Sequence, residues 1–133
     1  MVYNKVILVI DDEDEMLSLL DITLRHEGFV VIKSRNAASA LHLIRSLTPS
    51  LFIVDLMMPG MNGFQLCEEI RSIATTARIP IIILSARADY EAREQALNAG
   101  ANLYVHKSAF PNGLISEVCK LLNNGNRANY SAD

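Results

Sequence analysis

Five short apolar runs recur along this chain with almost no polar residue inside them, and each is followed by a stretch whose apolar residues return at helical spacing. The runs are Val6-Ile7-Leu8-Val9-Ile10, Phe29-Val30-Val31-Ile32, Leu51-Phe52-Ile53-Val54, Ile79 to Leu84 around Pro80, and Ala101 to Val105. Successive side chains of a strand point to opposite faces, so a half-exposed strand alternates apolar with polar residues. A strand that is apolar throughout is covered on both faces, as in a parallel sheet between two layers of helices. The intervening spacing comes from Met16, Leu17, Leu20 and Leu24, then Ala40, Leu41, Leu43, Ile44 and Leu47, then Phe64, Cys67, Ile70 and Ile73. Asp89 to Ala99 follows, closed by Gly100, and Leu114, Ile115, Val118, Leu121 and Leu122 form a last stripe with a close near Gly125.

The order is therefore (βα)5. Strands alternating with helices over short connections require right-handed crossovers, which predicts an α/β, doubly wound, five-stranded parallel sheet of order 2-1-3-4-5 in a three-layer sandwich. The 133 residues are enough for one core, expected over residues 1–124, with 125–133 as a flexible tail or linker segment. Fifteen acidic residues against twelve basic give a net charge of −3, which argues against direct nucleic-acid or anionic-membrane binding. The apolar run before Asp11 is too short for a signal or a membrane span. Cys67 and Cys119 are single and lie in helical patterns, as small hydrophobes of a reducing cytoplasm do.

In an open α/β sheet, ligands bind beyond the carboxyl ends of the strands. The first run ends in Asp11-Asp12, the third in Asp55 and the fourth in Ser85, while Lys107 stands two residues beyond Val105. Three carboxylates, a hydroxyl and an ammonium are thus expected at one end of one sheet. Packed carboxylates repel one another, and a hard divalent cation with oxygen ligands, such as Mg²⁺, relieves that repulsion. With the cation in place a carboxylate can attack phosphorus, with Lys107 and Ser85 stabilising the phosphoryl oxygens. Taken singly, Asp55 reads equally well as a turn residue before Pro59, Ser85 as a loop hydroxyl, Lys107 as a solvated charge and Tyr104 as packing. Asp14 and Glu15 read as acidic residues favouring a helix N-terminus. His26, His42 and His106 have no metal-ligand spacing.

Four segments resemble the receiver domain of two-component response regulators over Lys5 to about Asn123. They are Ile7-Leu8-Val9-Ile10-Asp11-Asp12-Glu13, Asp55-Leu56-Met57-Met58-Pro59-Gly60-Met61-Asn62-Gly63, Ile82-Ile83-Leu84-Ser85-Ala86, and Gly100-Ala101-Asn102-Leu103-Tyr104-Val105-His106-Lys107. The resemblance implies a phosphorylation-dependent switch rather than an enzyme, with Asp55 as phosphoacceptor and Mg²⁺, or Mn²⁺ in its place, on Asp11, Asp12, Asp55 and the Met57 carbonyl. It implies Lys107 and Ser85 as catalytic groups, and Ser85 with Tyr104 as the switch. Its implied partners are a histidine kinase or histidine phosphotransfer protein and a downstream target or effector domain. By the same resemblance the target is expected to dock on the face of the fourth helix, fifth strand and fifth helix, and a phosphorylation-dependent homodimer is a further expectation.

Two positions depart from the usual pattern. Lysine is commonly followed by proline through a cis bond, but Ser108 follows Lys107 here, and cis geometry before a non-proline residue costs ~2.5–4 kcal/mol. Met57 and Arg87, two residues after Asp55 and Ser85, are bulky where the family tunes hydrolysis of the acyl phosphate. Alternative readings are weaker. A flavodoxin-like FMN carrier does not fit five consecutive acidic residues, and a haloacid-dehalogenase-type phosphatase lacks its second acidic pair and room for a cap. A receiver-like docking module without phosphorylation would not need the full polar set.

Overall fold

The computed structural model describes residues 5–130, with side chains described through 123. The strands are β1 (Val6–Ile10), β2 (Val30–Ser34), β3 (Leu51–Asp55), β4 (Ile81–Ser85) and β5 (Leu103–His106). Between them run α1 (Asp14–His26), α2 (Ala37–Leu43), α3 (Gly63–Ser72) and α4 (Tyr90–Asn98), and a 3-10 turn at Lys107–Ala109 leads to α5 (Asn112–Tyr130). All pairings are parallel and the sheet order is β2-β1-β3-β4-β5, as the alternation of runs requires.

Burial follows the sequence pattern. Every residue of β3 and β4 is buried, as is all of β1 after Val6, whereas edge strand β2 exposes Val30 and Lys33. Because side chains alternate, the same strands feed two cores. Leu8, Ile10, Phe52, Val54, Ile81 and Ile83 pack with α2, α3 and α4. Ile7, Val9, Leu51, Ile53, Ile82 and Leu84 pack with α1 and α5.

Strand ends differ from the apolar runs by a residue or two, for backbone reasons. Four strands end on a polar residue, Ser34, Asp55, Ser85 or His106, since parallel pairing uses main-chain groups and does not require an apolar side chain. β4 starts at Ile81 rather than Ile79, because Pro80 has no N–H to donate, although its carbonyl still accepts from Phe52 N–H.

Helix starts are locally encoded. Asn62 and Gln65 form a reciprocal capping box on α3, while the side chains of Asn36 and Asp89 cap α2 and α4. Gly100, at φ 114°, occupies the left-handed position after α4. At the other end of the chain, the helical backbone passes through the expected close at Gly125 and continues to Tyr130. The apolar stripe stops at Leu122, but no proline interrupts the residues beyond it. Residues 131–133 of the expected tail lie outside the described residues.

Candidate functional site

The register dictates which side chains meet. Ile10, Val54, Ile83 and Tyr104 pair in one row across β1, β3, β4 and β5. One residue further on, Asp11 leaves β1 beside Asp55, the last residue of β3, whose partner in β4 is Leu84. Ser85 pairs with His106 in the next row, and Lys107 follows.

The three aspartates come together as the sequence predicts: carboxylate oxygens of Asp11, Asp12 and Asp55 all lie within 4.8 Å of one another. Asp11 and Asp55 are buried, at 1% and 4% exposure, and Asp12 is exposed at the rim. Lys107 Nζ is 3.4 Å from Asp11 Oδ2 and from Asp55 Oδ1, and 3.5 Å from Glu13 Oε1. Three carboxylates therefore face one ammonium, and Asp12 adds a fourth to the cluster. Glu13, to which the sequence alone assigned no role, belongs to this set; its backbone N–H also donates to Asp11 Oδ1 at 2.9 Å. Asp14 and Glu15 do lie in the first turn of α1, and Asp14 pairs with Arg35.

The electrostatics reflect that imbalance. Burial, and then the charge of Asp11, push Asp55 up to about 6, against the opposing pull of Lys107 and the Met57 N–H. Burial likewise raises Asp11, with its hydrogen bond from Glu13 and the charge of Lys107 working against it. Burial disfavours the charged form of Lys107, but Asp55, Asp11 and Glu13 outweigh it and leave the ammonium above its ordinary value. Two buried carboxylates are thus short of positive charge, and a dication with oxygen preference fits between them and Asp12.

Gly63 sets the depth of Asp55. A Cβ there would come within 2.8 Å of both the Asp55 carbonyl oxygen and Leu56 Cα, and the Gly63 N–H donates to the Leu56 carbonyl at 2.9 Å. The loop between β3 and α3 therefore closes directly onto the backbone that carries Asp55. Gly60, at φ 76°, makes its turn, and the Met57 side chain points out at 59% exposure.

Ser85 and Tyr104, predicted as a pair, meet at Arg87. Ser85, fully buried, accepts the Arg87 N–H at Oγ (3.1 Å), and the buried Tyr104 donates its hydroxyl to the Arg87 carbonyl (2.6 Å). The Arg87 guanidinium pairs with Asp89, the cap of α4, at 2.8 Å and 3.0 Å. Beside Lys107, the cis peptide among the described residues is Phe110-Pro111 rather than Lys107-Ser108. Both cysteines are free thiols, Cys67 buried and Cys119 partly so. Among the described residues no helix is long and apolar enough to cross a membrane.

The comparisons agree with this geometry. The chain is 38% identical over 112 residues to the DNA-binding response regulator MtrA of Mycolicibacterium smegmatis, covering 84% of this chain and 48% of that protein. It thus spans about half the length of the MtrA regulators it matches. An uncharacterized 14.6 kDa protein of Leptolyngbya boryana is also 38% identical over 112 residues, covering 84% of this chain and 86% of that one. Among solved structures, a CheY-like response regulator receiver domain protein from Methanospirillum hungatei superposes with a TM-score of 0.86 at 27% identity, over 93% of this chain and 98% of that one. The model of the response regulator receiver domain matches residues 7–119, and the chain belongs to that family.

Proposed function

We propose that Asp55 is the residue on which this phosphoaccepting regulatory domain receives its phosphoryl group. The observation that carries the reading is the buried Asp55 carboxylate between Lys107 Nζ, at 3.4 Å, and the oxygens of Asp11 and Asp12. One Asp55 oxygen forms a bond to phosphorus while the P–N or P–O bond of the donor breaks and its electron pair leaves with the donor. Lys107 and the Ser85 hydroxyl stabilise charge on the phosphoryl oxygens. Mg²⁺, or Mn²⁺ in its place, would be held by Asp11, Asp12, Asp55 and the Met57 carbonyl, and would neutralise charge shared by carboxylates and phosphoryl group.

The donor is a histidine kinase or histidine phosphotransfer protein, the partner that a receiver domain implies. Ser85 and Tyr104 report the phosphoryl group through Arg87 to α4 and β5. A downstream protein, an effector domain or a second copy of the chain reads the face of α4, β5 and α5, where Tyr90 and Leu97 stand exposed. The two free thiols support a reducing, cytoplasmic setting.

Wild type and Asp55→Asn, incubated with Mg²⁺ and a small phosphodonor and then weighed, test the assignment. Wild type gains one phosphoryl mass and the variant gains none; equal gain, or none in either, overturns it. In the same samples Mg²⁺ raises the melting temperature of wild type, and Asp12→Ala removes that rise.

A further inference from the structure

Two loops carry the groups on either side of Asp55: one after β4 with Ser85, the other after β5 with Lys107. His106 hydrogen-bonds to both. Its Nε2 is 2.9 Å from the Ala86 carbonyl oxygen, and its Nδ1 is 2.7 Å from Ser108 Oγ and 3.1 Å from the Ser108 backbone nitrogen. A carbonyl oxygen only accepts, so Nε2 carries the hydrogen. Nδ1 keeps its lone pair for the Ser108 donors, which makes the ring a neutral Nε2–H imidazole.

Lys107 lies between the two halves of this clip. Its flexible side chain has three carboxylates within 3.5 Å, so the position of its backbone decides how the ammonium is shared among them. Ser108 lacks the ring with which a proline would fix φ at that point. The bond from the Ser108 N–H back to His106 closes a tight loop around Lys107 instead, and the Ala86 bond fastens that loop to the Ala86–Arg87 peptide, whose N–H donates to Ser85 Oγ.

We propose that His106 is a positioning residue for phosphoryl acceptance, joining the Lys107 and Ser85 arms into one rigid frame around Asp55. It makes no bond to donor or acceptor. The inference rests on the reading of Asp55 above, and its test separates the two.

The initial rate of phosphoryl mass gain from a small acyl-phosphate donor with Mg²⁺ is compared for wild type, His106→Leu, His106→Asn and His106→Gln, well below each melting temperature. His106→Leu, which makes neither bond, is expected to be about tenfold slower. Asparagine supplies an acceptor near Nδ1 and glutamine a donor near Nε2, so each recovers part of the rate. The Mg²⁺-induced rise in melting temperature stays at the wild-type value in all three, because the metal ligands are untouched. Long-range ¹H–¹⁵N spectra of the wild-type imidazole show the Nε2–H tautomer. If wild type gains mass and all three variants match it within twofold, or the spectra show Nδ1–H, the positioning role is wrong while Asp55 stands. If wild type gains no mass, both are wrong.

Discussion

The two ends of the sheet handle charge in opposite ways. Where β4 and β5 begin, Arg71 on α3 is matched donor by donor: Nε to the Gly100 carbonyl at 2.9 Å, Nη1 to the carbonyls of Ile79 and Thr76 at 2.7 and 3.3 Å, and Nη2 to Asn102 Oδ1 at 2.8 Å. Asn102 Oδ1 also accepts the Ile81 N–H, so one cation and one amide fasten α3 to the starts of two strands. At the far end of the same strands, the carboxylates of Asp11, Glu13 and Asp55 share the Lys107 ammonium, with Asp12 beside them. Hydrogen bonding does not separate the two ends, since among the described residues no buried side-chain polar atom lacks a partner. Charge does. One end holds a single cation whose hydrogen bonds go to neutral carbonyl and amide oxygens, and it fastens the fold; the other gathers carboxylates in excess of its one ammonium.

That contrast fails if removing a charge has the same sign at both ends. Arg71→Met strips four acceptors of a charged donor, and urea unfolding should show a loss of about 3 kcal/mol. A loss below about 1 kcal/mol would mean that the clamp is ornamental. Asp55→Asn, by contrast, should stabilise the metal-free protein at neutral pH by about 2 kcal/mol, because it removes a buried charge already disfavoured beside Asp11.

The same imbalance sets a pH dependence. The folded state holds the Asp55 proton up to about pH 6, well above an unfolded aspartate. Its contribution to stability is therefore present below about pH 4 and is lost as pH rises through 6. Melting temperatures taken in chelator across that window should fall for wild type and flatten for Asp55→Asn. A rise in wild type would show that Lys107 already compensates the cluster. The smallest effect is expected at Tyr104→Phe, about 1 kcal/mol for the lost bond to the Arg87 carbonyl. An unchanged midpoint would place that hydroxyl in water.

The legibility of these features in the sequence follows their range. Five apolar runs were enough to read the sheet, because continuous burial is written in consecutive residues. Asp11, Asp55, Ser85 and Lys107 were readable as strand-end residues once the strands were placed. The Arg71 clamp was not, since its partners Gly100 and Asn102 lie 29 and 31 residues away and three of its four acceptors are backbone carbonyls that carry no sequence signal. Glu13 carried no role in the sequence, because its partner Lys107 lies 94 residues on and only the fold brings it within reach. His106 depended on register, for only the pairing of Ser85 with His106 brings its ring to the loop after β4.

Gly63 carries a lesson for anyone who would retime or evolve this switch. Asp55 is held at its depth by a missing methyl group: any other residue at 63 drives into the main chain of Asp55 and Leu56. The mouth of the pocket is under no such constraint, since Met57 and the guanidinium of Arg87 project outward. Exchanging side chains at the rim therefore leaves the frame around Asp55 in place, while any exchange at 63 does not.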